Sequence, residues 1–190
     1  MKISAILLAA GAGSRFGGDK LVHPLHDGTP LGVAAARNLL AAVPDVVAVV
    51  RSGDVVLAGL LEREGCNVSF CADAGQGMGV SLAHGIGCRR DADAWIVALA
   101  DMPAIRSVTI AAVARALEAG RSLVAPSYQG RRGHPVGFGK HFGGQLGALR
   151  SDAGAREIIA SNRDDITLIE CNDGGVLRDI DRREDLGHGG

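Results

Sequence analysis

Ile6-Leu-Leu-Ala-Ala-Gly-Ala-Gly-Ser-Arg-Phe-Gly-Gly-Asp-Lys-Leu21 decides the reading of this chain. A short apolar strand runs into a glycine-rich loop, and Arg15 and Lys20 stand beside it. Gly11 and Gly13 allow backbone turns closed to other residues, so amide N–H groups can converge on an anion with no side chain between. Arg15 offers a planar fork to phosphate oxygens, and Lys20 offers a compact point charge. Two cations at one such loop point to a polyphosphate. With seventeen arginines and only three lysines, the chain's own composition would supply Arg at position 20, yet Lys stands there.

Two familiar glycine-rich templates fail here. For a dinucleotide fingerprint, the third glycine position holds Phe16, and the next strand, Val46 to Arg51, ends without an acidic residue. For a Walker A loop beginning at Gly13, the lysine position holds Asp19 and Lys20 arrives one residue late.

The 190 residues are 47% apolar, enough for one globular domain with a full core. A net charge of -1 with scattered basic residues argues against nucleic acid as a partner. The run Ile3 to Ala10 is too short to span a bilayer and leads straight into the glycine loop, so no membrane partner is expected. Cys66, Cys71, Cys88 and Cys171 lack zinc-ligand spacing and read as reduced thiols of a cytoplasmic enzyme.

Strands are expected at Ala5–Leu8, Val46–Val50, Val68–Cys71, Trp95–Ala100 and Leu123–Ala125. Helices alternate with them. Thr29 caps one with Pro30 at its first position, Asp54 opens a second that Gly65 stops, and Ser107 to Ala119 is stopped by Gly120. Alternation of this kind predicts an α/β protein with a doubly wound, mostly parallel sheet and one crevice at its strand ends. Beyond Leu123 the expectation is a polar loop at 127–133, a strand from His134 to Phe138, and two short strands between Ile166 and Ile180. Residues 1–103 would form the nucleotide-binding half and 104–190 the acceptor half.

Four further groups carry chemistry. Asp101-Met-Pro103 closes an apolar strand where this architecture binds ligands, so Asp101 reads as a Mg²⁺ ligand or as a turn cap. Gly75-Gln-Gly-Met-Gly-Val-Ser-Leu82 opens a helix, with Gly77 and Gly79 allowing close approach and Ser81 either touching a ribose or base or capping the helix. Arg131-Arg-Gly-His-Pro-Val136 places cations and an imidazole before a strand, and Arg156 points back to the same region. Asp179 and Asp181 lie on one face of an expected strand, and either could share a metal with Asp101.

Taken in order, these pieces resemble the molybdenum cofactor nucleotidyltransferases, within the wider nucleotidyltransferase family. The motifs are Leu8-Ala-Ala-Gly-x-x-Ser-Arg-x-Gly with Lys20, Gly77-Met-Gly-x-Ser-Leu82, Asp101-Met-Pro103, Arg132-Gly-His-Pro-Val136, Asp152-x-Gly-Ala-Arg156 and Asp179-x-Asp181. Leu8-Ala9-Ala10-Gly11 looks like the cytidylyl branch, since the guanylyl branch usually reads Leu-Ala-Gly-Gly. Ser151 replaces a common glycine, and Asp181-Arg-Arg-Glu184 replaces a usual Asp-Thr-Pro-Glu.

The resemblance implies a three-layer nucleotide-diphospho-sugar transferase-like fold and Mg²⁺-dependent transfer of CMP from CTP to the phosphate of molybdopterin, releasing pyrophosphate. It implies Lys20, Arg15 and Asp101 as catalytic residues, and Ala9, Ala10, Gly11, Gly13, Ser14, Arg15, Lys20, Gly77, Gly79 and Ser81 as nucleotide-binding. Arg132, Gly133, His134, Pro135 and Arg156 would bind the acceptor, Asp101 and Asp181 the metal. A molybdoenzyme or its chaperone would be a transient partner. Two rivals remain: nucleotidyl transfer with GTP or to another phosphate acceptor, and an NAD(P)-dependent oxidoreductase on a similar sheet.

Overall fold

The computed structural model describes residues 1–188; Gly189 and Gly190 of the expected single domain lie outside the described residues. Eight strands form one sheet: β1 (Ile3–Ala9), β2 (Val46–Arg51), β3 (Asn67–Cys71), β4 (Ala94–Leu99), β5 (Leu123–Tyr128), β6 (Arg131–Arg132), β7 (Val136–Gly139) and β8 (Ile166–Glu170). Their order is β3-β2-β1-β4-β7-β5-β6, with β8 pairing β5. β3, β2, β1 and β4 run parallel, β7 lies antiparallel between β4 and β5, and β8 is parallel to β5. The result is an α/β, Rossmann-like fold of the nucleotide-diphospho-sugar transferase type.

The helices are α1 (Leu31–Leu40), α2 (Val55–Glu64), α3 (Met78–Cys88), α4 (Ser107–Glu118), α5 (Gly143–Gly147) and α6 (Arg156–Ser161). Strand alternation sorts β1 between two layers. Ala5, Leu7 and Ala9 face a core shared with α1, α2 and α4, whereas Ile6 and Ala10 face one shared with α3, α5 and α6. Being covered on both faces explains why these strands read as unbroken apolar runs.

Several sequence expectations shift. Pro30 rather than Thr29 holds the position before α1, which has no side-chain cap, and Asp54 makes no side-chain cap hydrogen bond to α2 either. The Asp54 carboxylate is engaged by Arg51 instead. Gly65 and Gly120 do end their helices at positive φ, of 104° and 88°. The expected loop at 127–133 is a tight hairpin joining β5 to β6, and the strand expected from His134 starts at Val136, after a cis His134–Pro135 bond.

The largest correction falls after Ile166. Among the described residues only β8 is a strand there; Gly174–Leu177 forms a 3-10 turn, and residues 178–181 belong to no strand. This segment is held by side chains. Asp173, 4% exposed, accepts hydrogen bonds from the Arg106 amide (2.9 Å), the Thr109 hydroxyl (2.6 Å) and the Gly175 amide (3.1 Å), so it caps α4 from outside the helix. Ile180 then packs with Phe16 and Leu31 in a small cluster of its own, and its amide donates to the Asp101 carbonyl at 2.9 Å. Periodicity could not reveal an extended segment whose partners are a buried carboxylate and a remote phenyl ring.

Gly85 lets α3 lie directly on the sheet. A Cβ there would come within 2.5 Å of Ile6 Cγ2 and 3.0 Å of Val49 Cγ2, both on stiff β-branched residues with no exposure. Gly85→Ala should therefore lose about 1 to 3 kcal/mol to overpacking, despite the better helix propensity of Ala. Urea denaturation would show the midpoint falling with an unchanged slope.

Candidate active site

β1 and β4 are neighbours, paired from Ile3↔Ala94 to Leu8↔Leu99. The chain leaves β1 into the glycine loop and leaves β4 through Ala100 to Asp101, so both exits border one crevice at the switch point of the sheet. A cleft of about 360 Å³ opens there, lined by Ala10, Gly11, Gly13, Lys20, Gly77, Ser81 and Asp101 among others.

Lys20 is the centre of this cleft. Its side chain is only 10% exposed, and its ammonium lies 2.9 Å from Asp101 Oδ2 and 3.4 Å from Asp181 Oδ1. Arg15, 71% exposed, reaches Asp181 Oδ2 at 2.5 Å. Gly13 at φ 58° makes the turn that brings Lys20 in, since a Cβ would crowd the Gly18 carbonyl at 3.1 Å and Lys20 Cβ at 3.3 Å. Phe16, 4% exposed, anchors the loop beneath Ile180, with the Arg183 guanidinium 5.3 Å from its ring centre. Asp181 thus arrives on the C-terminal segment rather than on a strand. Asp179, on the other side of Ile180, is exposed, and its charge acts on His134.

Asp101 and Asp181 converge on one ammonium, so their oxygens stand where a single hard cation could replace it. Among the described residues no three His, Cys, Asp or Glu side chains form a metal-binding group. Two carboxylates nevertheless suit Mg²⁺, which completes its shell with phosphate oxygens and water.

The remaining expected residues divide. Ala10 and Ser81 line the cleft, both buried. Gly77 precedes α3 at φ 127°, and a Cβ there would come within 2.9 Å of Asp152 Cα. Ser81 sits inside α3 and does not cap it; the Asp152 carboxylate accepts from the Met78 amide at 3.3 Å instead. Gly79 lies away from the cleft lining, because α3 packs so closely on Ser151 that a Cβ would overlap its carbonyl. Ala9 faces the opposite core layer, and Ser14 rides exposed on the loop.

Of the residues expected to bind the acceptor, Arg132, His134 and Arg156 come together around a smaller cavity of about 90 Å³. It shares Leu8, Met78 and Leu99 with the main cleft, so the two adjoin. Gly133 and Pro135 do not line it. Gly133 allows close packing on Val176, and Pro135 borders a separate apolar void with Leu7 and Met102. Sequence reasoning missed Arg51, which ends β2 at the cleft and is clamped by Asp54 at 2.9 and 3.2 Å. Its position at the end of a strand next to β1 was the available signal.

His134 Nδ1 is enclosed without a hydrogen-bond partner. Burial, then the Arg132 and Arg156 charges, push the imidazole down to about 4, against a smaller opposing pull from Asp179. It is therefore neutral at physiological pH.

Fold and cleft define a class, an α/β protein with a crevice at the switch point of its sheet, where this architecture places its ligands. Residues 5–166 match the MobA-like NTP transferase domain, and the chain belongs to that family of nucleotidyltransferase enzymes. Nicotine blue oxidoreductase of Paenarthrobacter nicotinovorans is 28% identical over 193 residues, covering 97% of this chain and 94% of its own. The manganese complex of Rv0371c from Mycobacterium tuberculosis H37Rv is similar in structure, with a TM-score of 0.80 at 22% identity over 98% of this chain and 97% of that one. A nucleotidyl transferase from Methanothermobacter thermautotroptrophicus gives 0.82 at 21% identity over 97% and 94%. No helix among the described residues is long and apolar enough to cross a membrane.

The depressed His134 value sets a pH dependence. An unfolded histidine takes up a proton below its ordinary value near 6.5, whereas the folded one resists until about 4, so stability falls as pH drops through that window. The loss amounts to about 3 kcal/mol, complete near pH 4. His134→Gln should flatten this part of the stability curve between pH 6.5 and 4, measured by urea denaturation, and the wild-type imidazole should titrate near pH 4 by NMR.

Proposed function

We propose that the protein transfers CMP from CTP to the phosphate of an acceptor of the molybdopterin type, with release of pyrophosphate. One observation carries this reading: a nearly buried lysine holds two carboxylates together at the mouth of a glycine loop, on the switch point of the sheet. Amides of the Gly11 to Gly18 loop would bind the triphosphate, and Ala10 and Ser81 would border the nucleoside. An ionised oxygen of the acceptor phosphate attacks the α-phosphorus, and the bond to the bridging oxygen breaks as pyrophosphate leaves. That oxygen needs no general base.

Asp101 and Asp181 would hold a Mg²⁺, which supplies charge neutralisation on the phosphates when bound. Manganese in the Rv0371c complex supports a divalent ion at this kind of fold. Once phosphates enter, Lys20 can turn from the carboxylates to the α-phosphate, where negative charge grows during transfer. Arg15, exposed at the rim, would pair with the leaving pyrophosphate. CTP is favoured over GTP because the Ala10 methyl narrows the cleft beside the loop, leaving less room for a purine.

A second reading has its own support. The nicotine blue oxidoreductase likeness spans nearly both chains, and it favours the oxidoreductase reading, in which the pyrophosphate of a nicotinamide dinucleotide would lie on the same loop. Against it stand the missing third glycine and the two carboxylates at Lys20, which hydride transfer does not require. Parallel assays separate the two. Pyrophosphate release with CTP, Mg²⁺ and a molybdopterin acceptor supports the transferase; NADPH oxidation with no pyrophosphate release under any nucleotide overturns it.

Lys20→Ala should lower the transferase turnover by roughly 10²- to 10³-fold, the scale for losing one preorganised charge, with a smaller effect on CTP binding. Asp101→Asn and Asp181→Asn should each abolish metal-dependent turnover in a folded protein. With equal CTP and GTP the wild type should favour CTP, and Ala10→Gly should narrow that ratio, since a methyl-sized change is worth about 1 to 3 kcal/mol.

A further inference from the structure

At the far end of α3, away from the cleft, three reactive side chains meet. The Ser69 hydroxyl on β3 lies 2.7 Å from His84 Nε2, and the Cys88 thiol donates to Ser69 Oγ at 3.5 Å. His84 and Cys88 are four residues apart on one helix and so share a face. A serine hydroxyl has one proton to give and lone pairs to receive another, so thiol and imidazole are joined through it. His84 and Cys88 border a groove of about 700 Å³ that shares no lining residue with the cleft. Arg90 and Arg150 stand along this groove with one acid, Asp73, whose carboxylate accepts from the Gln76 side chain at 3.0 Å. Cys88 is exposed at the last position of α3, where the negative end of the helix dipole opposes a thiolate. The Arg89 guanidinium counters it by donating to the Cys88 carbonyl at 3.1 Å. The other cysteines are placed differently. Cys66 and Cys71 are buried and Cys171 half-buried, and burial pushes the Cys66 thiol up to about 11 and raises that of Cys171.

We propose that Cys88 is a thiol–disulfide exchange site for a small anionic disulfide of the glutathione type, with Ser69 and His84 relaying its proton. With the His84 proton on Nδ1, Ser69 donates to Nε2 and receives from the thiol. As the Cys88 sulfur attacks one sulfur of the disulfide, its proton passes to Ser69 Oγ and the serine proton passes to His84. The disulfide bond breaks with its electron pair on the departing sulfur, which leaves as a thiolate and recovers a proton from the imidazolium. Cys88 is oxidised to a mixed disulfide and half of the incoming disulfide is reduced to a thiol, so no further oxidant enters. Arg90 and Arg150 outnumber Asp73 along the groove and select for carboxylates on the incoming molecule. Ser69 and His84 act through the thiol and are positioning residues. The site stands apart from the transferase reading, since the cleft lies at the other end of α3.

The test exposes the full chain to glutathione disulfide near pH 7 and maps the adducts by mass spectrometry. Glutathione should appear on Cys88 before the other three cysteines, and Cys88→Ser should remove that first adduct. His84→Gln keeps a hydrogen-bond partner for Ser69 but supplies no base. It should slow the reaction about tenfold, since an ordinary thiol is only a few per cent ionised at neutral pH. Ser69→Ala should slow it as much, and Ser69→Thr, which keeps the hydroxyl, should restore it. Cystamine, a cationic disulfide, should react several-fold more slowly than glutathione disulfide once each rate is divided by that with N-acetylcysteine amide. That difference should vanish at about 1 M salt and in the Arg90→Gln, Arg150→Gln double variant. First reaction at another cysteine, an unchanged rate in His84→Gln, or a normalised cystamine rate equal to that of glutathione disulfide would each overturn the proposal. Urea midpoints report whether the variants are folded. Should one fail to fold, the labelling order and the disulfide preference of the wild type still decide it.

Discussion

Everything at the cleft depends on β1 lying beside β4 in parallel register. Two parallel neighbours whose chains depart in different directions leave a gap at their carboxyl ends, and no side chain has to be removed to make it. That gap receives the glycine loop from one strand and Asp101 from the other. Lys20 can then be nearly buried, because two carboxylates offset its desolvation. Removing either one would leave a poorly solvated charge short of a partner, which is the expensive way to break such a group.

The second wall of the site is built differently. Residues 173–181 form no ladder and derive their position from three anchors: Asp173 on the start of α4, Val176 against Gly133, and Ile180 on Phe16. Each anchor touches a different part of the cleft. Asp173 fixes the segment following Asp101, Val176 fixes the His134 backbone, and Ile180 fixes the glycine loop through Phe16. One stretch therefore couples the glycine loop, the carboxylates at Lys20 and the cavity beside His134, so their spacing is set together.

A family of nucleotidyltransferases that has a relative called an oxidoreductase illustrates how little the sheet constrains chemistry. A crevice that binds a pyrophosphate serves nucleotide triphosphates and dinucleotides alike. What separates the chemistries is the group standing at the reacting atom. Here the cleft holds an ammonium between two carboxylates, an arrangement that would suit charge accumulating on phosphate oxygens.

The sequence by itself determined the half of the molecule organised by local rules. Apolar runs bounded by turn signals located five strands, Gly11 and Gly13 marked the loop that borders the cleft, and Asp101 stood out because it ends a buried strand. Those features depend on residues a few positions apart, so spacing alone reveals them. Only the tertiary structure decided that β7 inserts antiparallel between β4 and β5, that Gly79 serves helix packing, and that Pro135 borders a different void from Arg132, His134 and Arg156. The same holds for the meeting of Lys20 with Asp181, 161 residues apart, and for the enclosure of His134 Nδ1. Such contacts arise from chain paths that cross after long loops, and no periodicity in the intervening residues encodes where those paths meet.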